Sequence, residues 1–289
     1  VRREGHSFDV VELHEVQADV DYSVGNIDFE GCVRVKGNVL PGFKITATDD
    51  IEIHGSVERA VLEAGGDVVI RQGYYGDANC HIKSCGSIWV RSFENAVVKA
   101  LKDIHIVQYS NNSDILAGGN VSVADTRHGR IAGGRVTAGG NLHVLHLGSP
   151  SYSCTVVDVG RKVEVGADKN HYFNTMRYYN DTLERINEAI AWLKNRHMTQ
   201  PLNKTQLGQL HTLENKARSI RESIRTLIRN NSQFNTRRKE VPDSDVRITG
   251  TGYCGVQVHS TNRFIDLKDD VQGVVIRSRP EGIFTEAIG

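Results

Sequence analysis

A short alternation of apolar and polar residues returns about once every twenty residues along the first half of the chain. In each copy a glycine or polar corner precedes two apolar residues that flank one other residue, as in Gly119-Asn120-Val121-Ser122-Val123. Seven copies are separated by 16 to 21 residues, and their first apolar residues are Ile51, Val68, Ile88, Ile104, Val121, Leu142 and Val163. A unit this short cannot bury an apolar face alone, so the pattern predicts stacked coils with apolar ladders inside. We expect one all-β solenoid whose repeat runs from about residue 22 to 168.

The period changes from about residue 171. Two apolar series follow with spacings of three and four residues, namely Leu183, Ile186, Ile190 and Leu193, and then Leu207, Leu210, Leu213, Ala217, Ile220, Ile224 and Leu227. Such spacings are typical of a coiled-coil seam. Pro201 interrupts the pattern, and Asn203-Lys204-Thr205 can cap a second helix. The sequence therefore predicts two helices that fold back as an antiparallel hairpin.

Strand patterns resume after Pro242, beginning with Val246-Arg247-Ile248. The hairpin is then an insertion between coils of one β-helix. We predict a β-helix over 1–168, a coiled-coil helical hairpin over 169–240, and return strands that complete the β-helix over 241–289.

Composition narrows the class of protein. The 289 residues carry no net charge, 39% of them are hydrophobic and 28 are glycine, which suits a long, thin core. No apolar run approaches the roughly 18 residues of a membrane span. The five cysteines contain no Cys-x-x-Cys pair, which fits a reducing compartment. We expect a soluble, cytoplasmic protein without a membrane span.

The glycine-rich corners carry a resemblance to a known family. The elements that match are Ala64-Gly65-Gly66-Asp67-Val68, Ala117-Gly118-Gly119-Asn120-Val121, Gly129-Arg130-Ile131-Ala132-Gly133-Gly134, Ala138-Gly139-Gly140-Asn141 and Leu147-Gly148. In their order, followed by a charged helical stretch and a return to strands, the chain resembles the flagellar assembly protein A family. The resemblance implies a right-handed parallel β-helix in a cytoplasmic bacterial protein, associated with flagellar assembly or its regulation, without known enzymatic chemistry. The segment Gln72–Asn79 departs from this pattern and makes the coil geometry there uncertain.

Enzymatic hypotheses were weighed on the acidic residues. β-Helices that cleave acidic polysaccharides need clustered carboxylates and a basic residue. Asp28, Glu52, Asp67 and Asp103 fall on different coils, where corner formation is the expected role. A left-handed hexapeptide acyltransferase requires a strict six-residue period that the spacing of the coils does not keep. We therefore expect no catalytic residue, no cofactor and no small-molecule substrate.

Histidines and glycines were weighed as ligand sites. His105 and His143 occupy the middle of their strands, so they are expected to point outward, where they could stack as a ladder. A solvated strand face is the favoured interpretation, because no ligand set accompanies them and no metal site is expected. The segment Gly129–Gly134 lacks the Gly-Lys-Ser/Thr ending of a phosphate loop.

Charge gives the clearest indication of a partner. Residues 171–240 carry 13 Lys and Arg against 6 Asp and Glu, a net charge of +7, so the rest of the chain carries −7. A stripe at helical spacing, which we call the arginine stripe, consists of Arg218, Arg221, Arg225 and Arg229. A solvated coiled-coil flank explains such a stripe. The sharper hypothesis is that it docks an acidic protein partner. Nucleic acid is not expected, because no binding motif or interleaved aromatic residues accompany the charge.

These patterns favour a non-enzymatic scaffold or adaptor that binds a protein partner in flagellar assembly. Two other classes stay open: a β-helical polysaccharide-acting enzyme, and a bactofilin-like module that self-associates through its coil ends. Converging carboxylates would favour the enzyme, and uncapped apolar coil ends would favour the polymer.

Overall fold

The structure is a computed structural model, and it describes residues 2–4, 7–9, 12–77, 79–151, 154–160, 182–183, 185–196, 203–236, 243–260, 263–279 and 282–288. The side chains of 2–4, 7–9, 223–236, 260 and 263 lie outside that description. The chain divides into two compact units. One comprises Val1–Val10 with Ala167–Glu240, and the other comprises Val11–Gly166 with Val241–Gly289.

The larger unit is an all-β parallel solenoid in which three strand ladders run from coil to coil. The first ladder contains β3 (Leu13–Val16), β5 (Cys32–Val35), β7 (Ile51–Ile53), β10 (Val68–Tyr75), β12 (Ile88–Glu94), β14 (Ile104–Ala117), β15 (Val121–Val123), β17 (Leu142–Val144) and β20 (Ser244–Gly252). Its inward residues are buried and pair in register, in the order Val33, Ile51, Val68, Ile88, Ile104, Val121, Leu142 and Val246. The predicted ladder is therefore confirmed from Ile51 to Leu142.

The second and third ladders complete the core. The second contains β4 (Ile27–Phe29), β6 (Lys44–Ala47), β9 (Val61–Ala64), β11 (Ile82–Ser84), β13 (Val97–Ala100), the end of β14, β16 (Arg130–Ala138), β19 (Thr155–Val159) and β21 (Val256–Ser260). The third contains β8 (Val57–Glu58), β18 (His146–Leu147), and parts of β10, β12, β14, β16 and β20. Parallel neighbours are buried against each other in all three ladders, which explains why the strands are rich in Ile and Val.

The structure defines where the solenoid begins and how the chain runs at Gln72–Asn79, the segment that departs from the family pattern. The solenoid begins at Leu13 rather than near residue 22, because β3 reads Leu-His-Glu-Val and does not show the apolar alternation. The irregular segment Gln72–Asn79 is partly strand, since β10 continues to Tyr75 with a shift of register after Ile70. Tyr74 fills a core position there, and its hydroxyl donates to the carbonyl of Ala60 at 2.8 Å.

The corners are held by side-chain oxygens that accept backbone N–H groups of the next coil. Asp67 Oδ1 accepts from Ser87 N at 2.9 Å, and Asn120 Oδ1 accepts from Asn141 N at 2.8 Å. The same contact joins Asp50 to Asp67, Asp103 to Asn120, and Asn141 to Asp245. These bonds satisfy amides at the turns, where strand pairing ends. We call this series the corner ladder.

The glycine before a corner residue follows from the same contact. A Cβ at Gly140 would overlap Asn120 Oδ1, so the close approach of two coils requires glycine there. Lys102 stands at the equivalent position in its own coil. The acceptor in the preceding coil is there the shorter side chain of Ser87, whose hydroxyl oxygen accepts a hydrogen bond from Asp103 N at 3.4 Å. Glycine and a long acceptor therefore occur together in the coils before the insertion, whereas Ser244 precedes Asp245 above Asn141.

The insertion begins inside a corner. Gly139 N donates to Ala117 O and Gly160 N donates to Ala138 O, so Gly160 stands one coil beyond Gly139. In the earlier coil one residue separates this glycine from the corner residue Asn141, whereas residues 161–244 separate Gly160 from Asp245. Val163, predicted as the next ladder residue, lies outside the described residues, and Val246 pairs with Leu142 instead.

The return strands complete the solenoid only in part. β20 and β21 continue the parallel ladders, as predicted. The remaining three strands run antiparallel to their neighbours: β22 (Arg263–Asp266), β23 (Val271–Arg279) and β24 (Gly282–Ala287). Connections of a few residues turn the chain straight back, so these strands cover the last coil instead of adding another one.

The smaller unit contains a two-stranded antiparallel sheet, formed by β1 (Arg2–Glu4) and β2 (Ser7–Asp9), and two helices. Helix α1 is described at residues 182–183 and 185–196, and α2 spans Lys204–Thr236. The predicted cap is confirmed: Asn203 Oδ1 accepts from Gln206 N at 2.8 Å, and Gln206 Oε1 accepts from Asn203 N at 3.1 Å.

The two helices share an apolar cluster. Ile186 of α1 packs with Ala217 and Ile220 of α2, and all three side chains are buried. Leu207, predicted in the seam, is instead 45% exposed. The coiled-coil hairpin as a whole remains a prediction.

We expect Val121→Asp to destabilise the solenoid by about 3–5 kcal/mol, because it buries an unpaired charge between Ile104 and Leu142. Urea denaturation followed by circular dichroism measures this loss. The exposed Ala124→Asp in the same coil is the matched control. An unchanged midpoint for Val121→Asp would contradict the inward assignment.

We expect Gly140→Ala to cost about 1–3 kcal/mol in the natural chain and clearly less in an Asn120→Ser background. The shorter hydroxyl removes the oxygen that the new Cβ would overlap, as in the pair Ser87 and Lys102. A double-mutant cycle in urea gives the coupling energy. If the two substitutions changed the free energy of unfolding additively, Asn120 would not be the reason for the glycine at position 140.

Candidate protein-interaction site

The arginine stripe lies on α2, which contains all four of its residues. Arg218 and Arg221 are exposed, and the side chains of Arg225 and Arg229 lie outside the described ones. The spacing of the four residues along the helix predicts that they follow one stripe.

Charged side chains of α2 contact polar side chains of α1. Arg221 Nη2 donates to Asn187 Oδ1 at 3.1 Å. Because an amide is neutral, this bond orients the guanidinium without cancelling its charge. Lys194 Nζ, in contrast, lies 2.6 Å from Glu214 Oε1, and its hydrogen bond lowers the pKa of that carboxyl. Lys194 of α1 therefore pairs with an acid of α2, while the described contact of Arg221 with α1 is to a neutral amide.

The acids considered for polysaccharide cleavage serve the coils. Asp67 and Asp103 belong to the corner ladder, as expected. The corner prediction is wrong for Asp28 and Glu52, which lie inside strands β4 and β7. Glu52 Oε2 accepts from Arg34 and its Oε1 accepts from Arg71, both at 2.9 Å. Glu52 thus links coils through its charge.

Glu63 forms a second cross-coil hub. Its carboxylate contacts the ammonium of Lys44, and its Oε1 lies 3.2 Å from both His81 Nε2 and Lys83 Nζ. Burial of the carboxyl raises its pKa, but the hydrogen bonds from Lys44, His81 and Lys83 outweigh burial and lower the pKa to about 2. The group is ionised at neutral pH and holds three coils together.

We expect Glu63→Gln to lower the free energy of unfolding by about 1 kcal/mol at neutral pH, a modest value because the partners are partly exposed. A folded pKa of about 2 against 4.5 gives stability that is complete above 4.5 and disappears as the pH falls towards 2. The gap between the natural chain and the variant should therefore close over that window in urea titrations. Glu58→Gln, at an exposed strand position, is the control, and a gap that widens towards pH 2 would contradict the assignment.

The two histidines do not stack on each other. Both occupy middle positions of their strands, as predicted, but Ser122 stands between them in the register. His105 Nδ1 lies 2.9 Å from Ser122 Oγ, and its ring stacks on Trp89 with centroids 5.3 Å apart. The histidine ladder, the less favoured of the two interpretations, is thus interrupted at Ser122.

A metal site and a phosphate-binding loop are the two other kinds of ligand site considered from the sequence. Within the described ranges, no group of three or more His, Cys, Asp or Glu side chains is placed to hold a metal ion. Gly133 N donates to Thr155 Oγ1 at 2.8 Å, which gives the glycine-rich segment Gly129–Gly134 a role in joining coils. In the part of the chain that the structure describes, no helix combines the length and apolar character needed to cross a membrane.

Sequence reasoning missed one exposed group on the first ladder. Trp89 and Arg91 are the two outward residues that follow Ile88 in β12, and both are exposed. The signal was present, because alternation along the strand puts both side chains on the outer face. The contacts of Arg91 with neighbouring coils fall where the register shifts, which the spacing alone did not reveal.

Comparison with known proteins was made against families, curated proteins and solved structures. The family model described as FapA, Flagellar Assembly Protein A beta solenoid domain, matches residues 12–283. No curated protein and no solved structure matches the chain. The family match starts just before β3 and ends within β24, so it takes in every strand from β3 to β23. It confirms the resemblance carried by the glycine corners. The chain therefore belongs to the FapA family of flagellar assembly protein A β-solenoid domains.

Proposed function

We propose that the protein is a non-enzymatic scaffold or adaptor that binds a protein partner in flagellar assembly or its regulation. The proposal rests on the observation that acidic side chains of the solenoid bond to neighbouring coils. Glu52 and Glu63 join neighbouring coils through ion pairs, and Asp67 and Asp103 accept backbone amides at corners. Groups committed in this way maintain a surface; they do not converge on a substrate. The family, which is named for flagellar assembly, supports the same role.

The proposal assigns partner recognition to a separable helical domain. We place this domain at 169–240, as an antiparallel coiled-coil hairpin inserted into a right-handed β-helix of a cytoplasmic protein. The apolar cluster of Ile186, Ala217 and Ile220 supports a hairpin with its own core. The contact of Arg221 with a neutral amide supports an available positive charge.

Two other classes receive less support. A polysaccharide-acting enzyme needs carboxylates that converge, whereas the acids named above are distributed over several coils. A bactofilin-like polymer needs open coil ends, whereas β22 and β23 cover the last coil by antiparallel pairing. The partner proposed here is therefore a protein with an acidic surface.

Affinity purification from flagellated bacterial cells tests the function. The bait is the full chain, and the comparison is a chain in which 169–240 is replaced by a flexible linker. We expect the comparison chain to keep a cooperative β-sheet transition and to lose the partner. Equal recovery of the same proteins by both baits would overturn the assignment of recognition to the helical domain.

Changing Arg218, Arg221, Arg225 and Arg229 together to Gln should slow association with the recovered partner by about tenfold at low salt. The remaining binding should depend less on salt, because exposed charges act mainly on the rate of encounter. Helix propensity changes little, so the helical signal in circular dichroism should stay constant.

The control for this variant removes the same charge from the solenoid. Exposed cations suited to it are Lys99, Lys102, Arg127 and Lys268, each changed to Gln. Stopped-flow association against ionic strength compares the two variants. Equal rates and equal salt slopes would leave the arginine stripe as a solvated flank.

A further inference from the structure

Arg91 stands at a corner where both neighbouring coils are bulged. On one side Ile70 pairs with Val90 and Gly73 with Ser92, so Arg71 and Gln72 lie opposite Arg91. On the other side Val90 pairs with Ile106 and Ser92 with Tyr109, so Val107 and Gln108 lie opposite it. Bulges are frequent next to binding sites because they aim side chains in new directions. One arginine is thus placed between two such bulges.

The two glutamines hold the guanidinium from opposite sides. Arg91 Nε donates to Gln108 Oε1 at 3.0 Å, and its Nη1 donates to Gln72 Oε1 at 3.1 Å. Both acceptors are neutral, so they fix the plane of the guanidinium and leave its positive charge intact. These bonds use only part of its N–H donors. A guanidinium that is already oriented loses less entropy when it binds a carboxylate.

Apolar surface adjoins this cation. Trp89 points outward from the same strand, is 38% exposed, and stacks on His105 with an angle of 23° between the rings. Val107, in the bulge opposite Arg91, is 52% exposed. The ring of Trp89 is therefore held against His105 while more than a third of the residue stays exposed to solvent. We call Trp89, Arg91 and Val107, with Gln72 and Gln108, the Arg91 site.

We propose that the Arg91 site binds an extended acidic segment of a protein partner. Alternate residues of an extended chain lie about 7 Å apart, and so do the outward residues Trp89 and Arg91 of one strand. A segment along β12 would set an aliphatic side chain on Trp89 and, two residues away, a carboxylate on Arg91. This inference rests on the proposed function in that the ligand is a protein, and it adds a contact on the solenoid.

Charge around the site favours a peptide over nucleic acid. A phosphate backbone is held by several cations in a row. Here Arg71 is paired with Glu52 at 2.9 Å, and Arg130 lies over the ring of Tyr109, 5.7 Å from its centroid. Glu94 follows on the same strand as Arg91 and accepts from the hydroxyl of Tyr109 at 2.7 Å. One oriented guanidinium beside an aromatic ring suits a single carboxylate with an apolar neighbour.

The test uses the full chain and two synthetic labelled peptides. One peptide carries Leu and Glu two positions apart, and the other has Gln in place of each Glu. Fluorescence anisotropy should give at least tenfold tighter binding of the Glu peptide, because a charge-assisted hydrogen bond is lost with Gln. Arg91→Gln should abolish that preference. Gln108→Glu should abolish it too, because a carboxylate of the protein itself then neutralises Arg91.

Two controls separate local recognition from other effects. Lys99→Gln removes one exposed positive charge on another ladder and should leave the preference unchanged. Arg91→Lys keeps the charge without the planar fork and should recover only part of the preference. Because Arg91 and Gln108 are not buried, both substitutions should leave the unfolding transition in place, and either variant alone suffices if the other fails to fold.

Three results would overturn the inference: equal affinity of the natural chain for the two peptides, an unchanged preference in Arg91→Gln, or tighter binding of a single-stranded oligodeoxythymidine than of the Glu peptide. Failure here is distinct from failure of the proposed function. If a partner is recovered from cells while the peptides do not bind, the Arg91 site alone is wrong. If the peptides bind while the helical variants keep their partner, recognition belongs to the solenoid.

Discussion

The solenoid depends on the hydrogen bond that a corner side-chain oxygen accepts from the backbone N–H of the next coil. Strand pairing satisfies the amides within each ladder, but at the corners the chain turns and pairing ends. Asp67 and Asn120 supply the missing acceptors there, at 2.9 and 2.8 Å. The same bond brings a side-chain oxygen close to the residue before the next corner, and at Gly140 only glycine leaves room for that oxygen. Apolar ladders then stack in register.

The apolar core and the corner hydrogen bonds do not involve the outward side chains of the strands, which can therefore serve other purposes. Outward positions repeat at the coil spacing, so side chains meet their equivalents in the next coil. Glu52 and Glu63 use this geometry for ion pairs, and Trp89 uses it to stack on His105. In a parallel ladder, the residues at one equivalent position of successive coils lie side by side in a row. Recognition can therefore change on the surface while the fold stays the same.

Both proposed contacts with a partner use the same electrostatic device. Arg221 is held by Asn187, and Arg91 is held by Gln72 and Gln108. A carboxylate in place of these amides would orient the guanidinium equally well but would neutralise it. A neutral acceptor fixes the direction of the donors and preserves the charge for an incoming acid. The two sites lie in different compact units, so each can be tested without altering the other.

The sequence by itself determined the solenoid, its ladder residues from Ile51 to Leu142, and the helical period that follows, because repeated burial imposes a repeated pattern. The sequence also predicted the helix cap at Asn203, and its glycine corners indicated the family. It misjudged Glu52 and could not tell that Val246 follows Leu142 in the ladder, since Val163 carries the same local pattern. Only the tertiary structure decided these points and the surroundings of Arg91. Which residues of distant coils become neighbours depends on register and bulges, and these are set by long-range pairing that no local pattern encodes.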